Sequence, residues 1–145
     1  MRDTVEVRRA GPDELARCQA IRREVFVEEQ GVPVDEEMDA HDALCTHFLA
    51  LRGGEAIGTA RLRVIGDGGV KAERVAVRRP FRRAGVGRAL MRALEDEARV
   101  RDAGELLLNA QAPVVAFYER LGYRAEGPEF LEAGIPHRAM RKPLT

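Results

Sequence analysis

Cysteine is nearly absent from this 145-residue chain, which has only Cys18 and Cys45, far apart and outside any CxxC pair. That spacing argues against a disulfide framework and against a dithiol redox motif, so a reducing, cytoplasmic setting is expected. Long apolar runs are missing too. No stretch approaches the roughly 20 residues that cross a bilayer, and residues 1–6 hold no apolar leader core, so neither a membrane span nor a secretory signal is expected. Charge of one sign is also lacking, because 24 Lys plus Arg balance 24 Asp plus Glu. A nucleic-acid partner would call for a basic surplus, and none exists. Internal repeats and low-complexity linkers are absent. With 45% apolar and 33% charged residues, the composition is that of a globular chain, and its length suits one domain over residues 1–145.

Residues 4–9 alternate apolar Val5 and Val7 with polar Glu6 and Arg8, which predicts a first strand. After the Gly11-Pro12-Asp13 break, Leu15, Cys18, Ile21 and Val25 recur at helical spacing and predict a helix over 12–27, stopped by Gly31-Val32-Pro33. The acidic stretch 35–42 is expected as loop or a short surface helix. Strands are predicted at 47–51, 56–65 and 70–77, separated by Gly53-Gly54 and by the glycine-rich turn 66–69. A helix over 86–100 follows, with Leu90, Leu94 and Ala98 on one face. Leu106-Leu107-Leu108 is apolar on both sides and reads as a central strand. Pro113 can open a helix closed by Gly122, and 138–141 is expected as an edge strand. This order is α+β, with both element types in one sheet. Tight turns between the middle strands argue against a doubly wound sheet.

The chemistry concentrates in residues 70–100. A strand ends at Val77, the basic loop Arg78-Arg79-Pro80-Phe81-Arg82-Arg83 follows, and Gly85 and Gly87 stand where a helix begins. A helix N-terminus leaves backbone N–H groups unpaired and carries about half a positive charge. Glycine lets an anion approach those groups, and Arg82 and Arg83 add charged donors, so a diphosphate site is implied. Nothing in this physics names the nucleotide. The pattern GxxxxGK[ST] is absent, and GxGxxG fails where its third glycine would be, at Leu90.

Arg82, Gly85 and Gly87 do satisfy [Q/R]-x-x-G-x-[G/A] after the Val75-Ala76-Val77 strand. In this they resemble the GNAT superfamily of N-acetyltransferases. A second segment, Asn109 and Pro113 followed by Ala116-Phe117-Tyr118-Glu119-Arg120-Leu121-Gly122-Tyr123, looks like a later motif of the same family. Val25-Phe26-Val27-Glu28-Glu29-Gln30-Gly31-Val32-Pro33 and Glu132-Ala133-Gly134-Ile135-Pro136-His137-Arg138-Ala139-Met140 resemble its ElaA-like branch. The resemblance implies a GNAT-like fold, a mostly antiparallel central sheet with splayed parallel strands, flanked by helices. It also implies acetyl-CoA as cosubstrate, no metal, and direct transfer to a small-molecule or peptide amine. Arg82, Arg83, Ala84, Gly85, Val86, Gly87 and Arg88 would cradle the pyrophosphate. Val75, Ala76 and Val77 would bond the pantetheine arm, an amide near Val75 would meet the oxyanion, and Asn109 would sit at the opening.

Tyr118 is the expected general acid toward the departing thiolate, whose parent thiol has a pKa of about 8.5. The alternative for Tyr118 is a packed core residue. Glu73 is the expected base, with an exposed strand-end carboxylate as the alternative, and His137 is a second candidate. Glu29 and Gln30, with Glu28, could meet a cationic acceptor. No HxxxH or HExxH spacing joins His41 and His47 to Asp39 or Asp42, so no metal is expected. A non-catalytic CoA-sensing domain is the rival function. An RNA-binding module built on residues 78–83 lacks interleaved aromatics beyond Phe81. The sequence does not decide between a monomer and a homodimer.

Overall fold

A computed structural model describes residues 4–145. Its seven strands are β1 (Val5–Arg9), β2 (Thr46–Arg52), β3 (Glu55–Ile65), β4 (Gly69–Val77), β5 (Glu105–Gln111), β6 (Arg124–Glu132) and β7 (Ile135–Pro143). They form one sheet in the order β1-β2-β3-β4-β5-β7-β6, antiparallel throughout except for the β4–β5 pair. The helices are α1 (Leu15–Arg22), continued by a π-helical segment Arg23–Glu29, then α2 (Val34–Glu37), α3 (Val86–Val100) and α4 (Val115–Arg120). The fold is α+β. No helix among the described residues is long and apolar enough to cross a membrane.

Both faces of the sheet are covered, and the strand patterns show why. In β2, Phe48 and Ala50 join the cluster under α3, while Leu49 and Leu51 join the cluster under α1. A strand buried on both faces shows an unbroken apolar run instead of alternation. Helix α3 buries Val86, Leu90, Met91, Leu94 and Ala98 along one stripe. Each such leucine contributes about 1.5–3 kcal/mol, so Leu90→Ala would be among the most damaging core changes. The approach is close because position 58 has no side chain. A Cβ at Gly58 would lie 3.1 Å from Val86 Cγ1 and 3.2 Å from both Leu90 Cδ1 and the Ala76 carbonyl.

Three expectations need correction. The helix predicted over 12–27 is α-helical only to Arg22, and its π-helical continuation reaches Glu29. The last strand spans Ile135–Pro143 and lies inside the sheet, because β6 pairs along its outer side. The acidic stretch includes the short helix α2, yet Glu37 and Asp42 are buried, since two arginines in the interior require partners there.

Candidate functional site

The site grows from the only parallel strand pair among the described residues. Strands β4 and β5 are joined from Val70–Leu106 to Ala72–Leu108 and no further. Beyond that point Asn109, Ala110 and Gln111 stay paired with β7, and Ala76 and Val77 stay paired with β3. Each strand therefore keeps one neighbour and loses the other, leaving a cleft edged by backbone polar groups. A bulge in β4 sets the divergence. Glu73 opposes Arg61 and Ala76 opposes Thr59, so two β4 residues, Arg74 and Val75, stand opposite one on β3. Arg74 has φ 56°, an unusual conformation for a residue with a side chain. The extra residue shifts the strand's parity. Val70 and Ala72 before it, and Val75 and Val77 after it, all pack toward the α3 cluster.

At the cleft mouth, α3 starts without a side-chain cap. Its first intrahelical bond runs from the Ala89 amide to the Gly85 carbonyl at 3.0 Å, so the amides of Val86, Gly87 and Arg88 precede the ladder. Arg83 (φ 65°) and Gly85 (φ 82°) flank Ala84, whose φ is negative. These turns lead the chain into α3, whose three free amides form a cradle suited to an anion. Gly85 has open space where a Cβ would project, and its backbone conformation is what calls for glycine. Gly87 differs. A Cβ there would come 3.2 Å from Phe117 Cζ, so packing of α3 against α4 accounts for this glycine without a ligand.

Two residues expected at separate subsites meet each other. Arg82 donates to Glu29 through Nη1 at 3.0 Å and Nη2 at 2.8 Å, and its Nε donates to the Val77 carbonyl at 2.7 Å. The Arg82 bonds hold the Glu29 carboxyl below its ordinary pKa. The π-helical segment brings this about by carrying Glu29 to the arginine loop.

Tyr118 is 8% exposed and lies edge-on to Phe117 and Tyr123, with ring centroids 5.0 and 5.9 Å away. Among the described residues its hydroxyl has no hydrogen-bond partner, and burial raises its pKa. On β5, Asn109 Nδ2 donates to Glu132 Oε1 at 3.1 Å, and Gln111 Nε2 donates to Gln30 Oε1 at 2.9 Å. His137 sits opposite Gln111 on β7, buried and stacked on Phe130. Its Nδ1 is 2.6 Å from the Ile135 carbonyl, which can only accept, so Nδ1 carries the proton.

Glu73 is far from a free strand-end carboxylate. It accepts from Arg61 Nε and Nη2, from Arg63 Nε and Nη2, and lies 3.4 Å from Lys71. Burial alone would raise its pKa, but hydrogen bonds from Arg63 and Arg61 hold it at about 2. A carboxylate so held is a weak base. The same Arg61 also bonds Asp39 and Asp42, and Asp42 with Glu37 binds Arg22. Arg74 at the bulge reaches the Glu37 and Asp39 carboxylates, both at 3.1 Å. A network thus ties residues 37–42 to the strand that opens the cleft. Its sequence signal was arginine in apolar patterns. Position 22 completes the stripe 18, 21, 22, 25, and Arg61 lies between Ala60 and Leu62.

Comparison with known proteins agrees with this architecture. The acetyltransferase (GNAT) domain family matches residues 13–144. The N-acetyltransferase YjcF of Bacillus subtilis, itself uncharacterized, is 44% identical over 123 residues, covering 84% of this chain and 87% of the relative. The crystal structure of an acyl-CoA N-acyltransferase from Pseudomonas aeruginosa superposes with a TM-score of 0.80 at 34% identity, covering 96% of this chain and 98% of that one. Escherichia coli ElaA superposes with a TM-score of 0.82 at 26% identity, covering 96% and 99%. The chain belongs to the GNAT family of acetyltransferases, which draw their acyl group from an acyl-CoA.

Proposed function

We propose that this protein transfers an acetyl group from acetyl-CoA to an amine, with the pantetheine arm between β4 and β5 and the diphosphate on the α3 N-terminus. The observation that carries the reading is the convergence of the two sets of free backbone groups. The unpaired edge of β4 beyond Ala72 leads to the uncapped amides of Val86, Gly87 and Arg88. An extended arm can bond the first as an added strand, and an anion suits the second. Arg83 and Arg88 add charge beside these amides. Arg82 acts differently in this reading. Engaged with Glu29 and the Val77 carbonyl, it braces the loop, and Glu29 is not available to the acceptor.

The acceptor nitrogen attacks the thioester carbonyl, and an amide near the Val75 bulge stabilises the oxyanion. Collapse then breaks the C–S bond and releases a thiolate. Tyr118, with its hydroxyl unshared, donates a hydrogen bond to that sulfur. Its raised pKa keeps the phenol protonated at all working pH values, so the hydrogen bond itself is the main stabilisation and full proton transfer is secondary. Glu73 is too weakly basic to deprotonate an ammonium acceptor, so the amine loses that proton to water before it attacks, and the proton that its nitrogen sheds after attack passes through solvent to the departing thiolate. Gln30, Gln111, Asn109 and His137 border the acceptor side.

Gly85→Glu tests the reading. A carboxylate would then occupy the cradle, and calorimetry on the folded variant is expected to show a severe loss of CoA affinity. Unchanged affinity would refute the assignment. Turnover of acetyl-CoA across a panel of amines separates an enzyme from a domain that only binds CoA.

A further inference from the structure

Beyond β5 the sheet continues into β7 and β6, and one face of these strands gathers polar side chains. Leu106, Leu108, Ala110 and Met140 face the α3 cluster, so by alternation Asn109, Gln111 and His137 project from the opposite face. Phe130 lies opposite His137, and Glu132 follows two residues on, which puts both on that same face. The apolar cluster under α1 takes Leu49, Leu51 and Ala76 but no residue of β5, β6 or β7. Here His137 and Glu132 present two acceptors to each other. His137 is 7% exposed, and its Nδ1 proton is committed to the Ile135 carbonyl at 2.6 Å, so Nε2 carries a lone pair. Stacking on Phe130, with centroids 6.1 Å apart and planes 25° apart, fixes the ring. Glu132 Oε2 lies 3.9 Å from Nε2, beyond hydrogen-bonding distance, while Asn109 holds Oε1 at 3.1 Å. Among the described residues no arginine or lysine reaches Glu132, whereas Arg82 neutralises Glu29 and three cations surround Glu73. Two acceptors this close repel unless they share a donor, and one positively charged group with two N–H bonds satisfies both. Nε2 is reachable from outside, in contrast to the sealed and unpartnered Nδ1 of His47.

That donor is not the reacting nitrogen. Strand β7 stands one spacing of about 4.8 Å beyond β5, and the cleft between β4 and β5 lies on the other side of β5. A protonated nitrogen also has no lone pair with which to attack a thioester, and a neighbouring carboxylate favours that protonated form. Resting on the transfer reading above, we infer that Glu132 and His137 hold the far, charged end of the acceptor, which is therefore an amine with a second, cationic nitrogen. Phe130, partly exposed beside them, offers apolar surface to the hydrocarbon that joins the two nitrogens. The two residues set specificity and take no part in the transfer itself.

Initial rates with acetyl-CoA test this by comparing α,ω-diaminohexane with hexylamine, which has the same chain and a single nitrogen. The parent protein is expected to prefer the diamine in kcat/KM by roughly tenfold, mainly through KM, as suits a charge-assisted contact at a half-exposed carboxylate. Glu132→Gln keeps an oxygen for Asn109 and removes the charge, and the preference is expected to fall to within about twofold of unity. Equal kcat/KM for the two amines in the parent, or a preference that survives in folded Glu132→Gln, overturns the inference and leaves the transfer reading standing. Calorimetry of the diamine against CoA-loaded protein reads the site without turnover. Binding that requires Glu132 but leads to no acetyl transfer would uphold the site and refute the transfer reading, and a diamine that neither binds nor reacts overturns the inference. Imidazole nitrogen NMR at about pH 8, above the ordinary histidine range, is expected to show a bare Nε2 in the free protein. A proton already on Nε2 would make His137 and Glu132 a self-contained ion pair and would also overturn it.

Discussion

Two arginine-rich regions of this molecule use the same side chain in opposite ways. On the α1 side of the sheet, Arg22 and Arg61 are each 1% exposed and saturated by Glu37, Asp39, Asp42 and Glu73. On the α3 side, Arg83, Arg88, Arg92 and Arg120 are exposed and carry no partner. A saturated buried guanidinium is an element of structure, and breaking it leaves a charge stranded away from water. An unpaired guanidinium at the surface leaves its donors free for an anion from outside. Charge count therefore says little about function here, and the state of each arginine's partners says much more.

The sharpest way to break this contrast is to remove one shared acceptor. Asp42 takes Nη1 of both Arg22 and Arg61 at 2.8 Å, so Asp42→Ala removes one buried carboxylate from each of two buried cations, leaving Arg22 with Glu37 and Arg61 with Asp39 and Glu73. The expected cost is about 3–5 kcal/mol in a denaturant titration. Arg92→Gln on the other face is expected to stay within about 0.5 kcal/mol of the parent. Equal stability losses in the two variants would dissolve the distinction.

Tyr118 belongs to neither region, and its removal tests the cleft. Tyr118→Phe keeps the ring against Phe117 and Tyr123 and deletes only the hydroxyl. With acetyl-CoA and a productive amine, kcat is expected to fall roughly 10²-fold while CoA affinity holds, because the lost bond forms as the thiolate develops. Normal turnover in the folded variant would leave Tyr118 a packing residue.

Acid should act on the saturated face. Asp42 is held at about 2 against an ordinary 3.8; burial opposes this, and bonds from Arg22, Gln19 and Arg61 outweigh it. Glu73 is likewise held at about 2 against 4.5. Both folded values are depressed, so their stabilisation is complete above the unfolded pKa values and is lost as pH falls from about 4.5 through 2. The loss is on the order of 2 kcal/mol for Asp42 and 3 kcal/mol for Glu73, read from urea midpoints across that window. A flat profile would mean that the network is not ionised as drawn.

How much of this was legible in the sequence depended on the reach of each interaction. Residues 86–100 announce themselves through local periodicity, and the strands β2 to β5 through short runs of β-formers bounded by turn residues. Strand β6 does not, because it is the outermost strand and nearly every residue from Arg124 to Glu132 is exposed, so no apolar alternation marks it. Without β6, the following strand reads as an edge. The ion network was hidden because Arg22 meets Glu37 and Asp42 only after the chain turns back, and Arg61 meets Glu73 only across β3 and β4. The phosphate-loop pattern was plain as a pattern, yet two of its three fixed residues have neighbours that no local motif shows. Arg82 has Glu29, and Gly87 has Phe117, thirty positions along the chain.

That last pair allows the finest test, because Gly85 and Gly87 look equivalent in the motif and differ in the structure. Gly85 has φ 82° and open space around its missing Cβ, so Gly85→Ala adds no clash but forces alanine into the left-handed region. The expected cost is about 1 kcal/mol of stability. Gly87 lies in the first turn of α3 with helical backbone, so Gly87→Ala gains roughly 0.5–1 kcal/mol of helix propensity. Against this, the new methyl sits 3.2 Å from Phe117 Cζ, and the ring must give by a few tenths of an ångström. The two effects nearly cancel, and the net change is expected within about 0.5 kcal/mol. Measured against Phe117→Leu alone, the double variant Gly87→Ala with Phe117→Leu should recover the propensity gain if the ring is what opposes it. Should Gly87→Ala be as stable as its double variant predicts yet bind CoA tenfold more weakly, closeness to the ligand, not packing against α4, would be the reason for glycine at position 87.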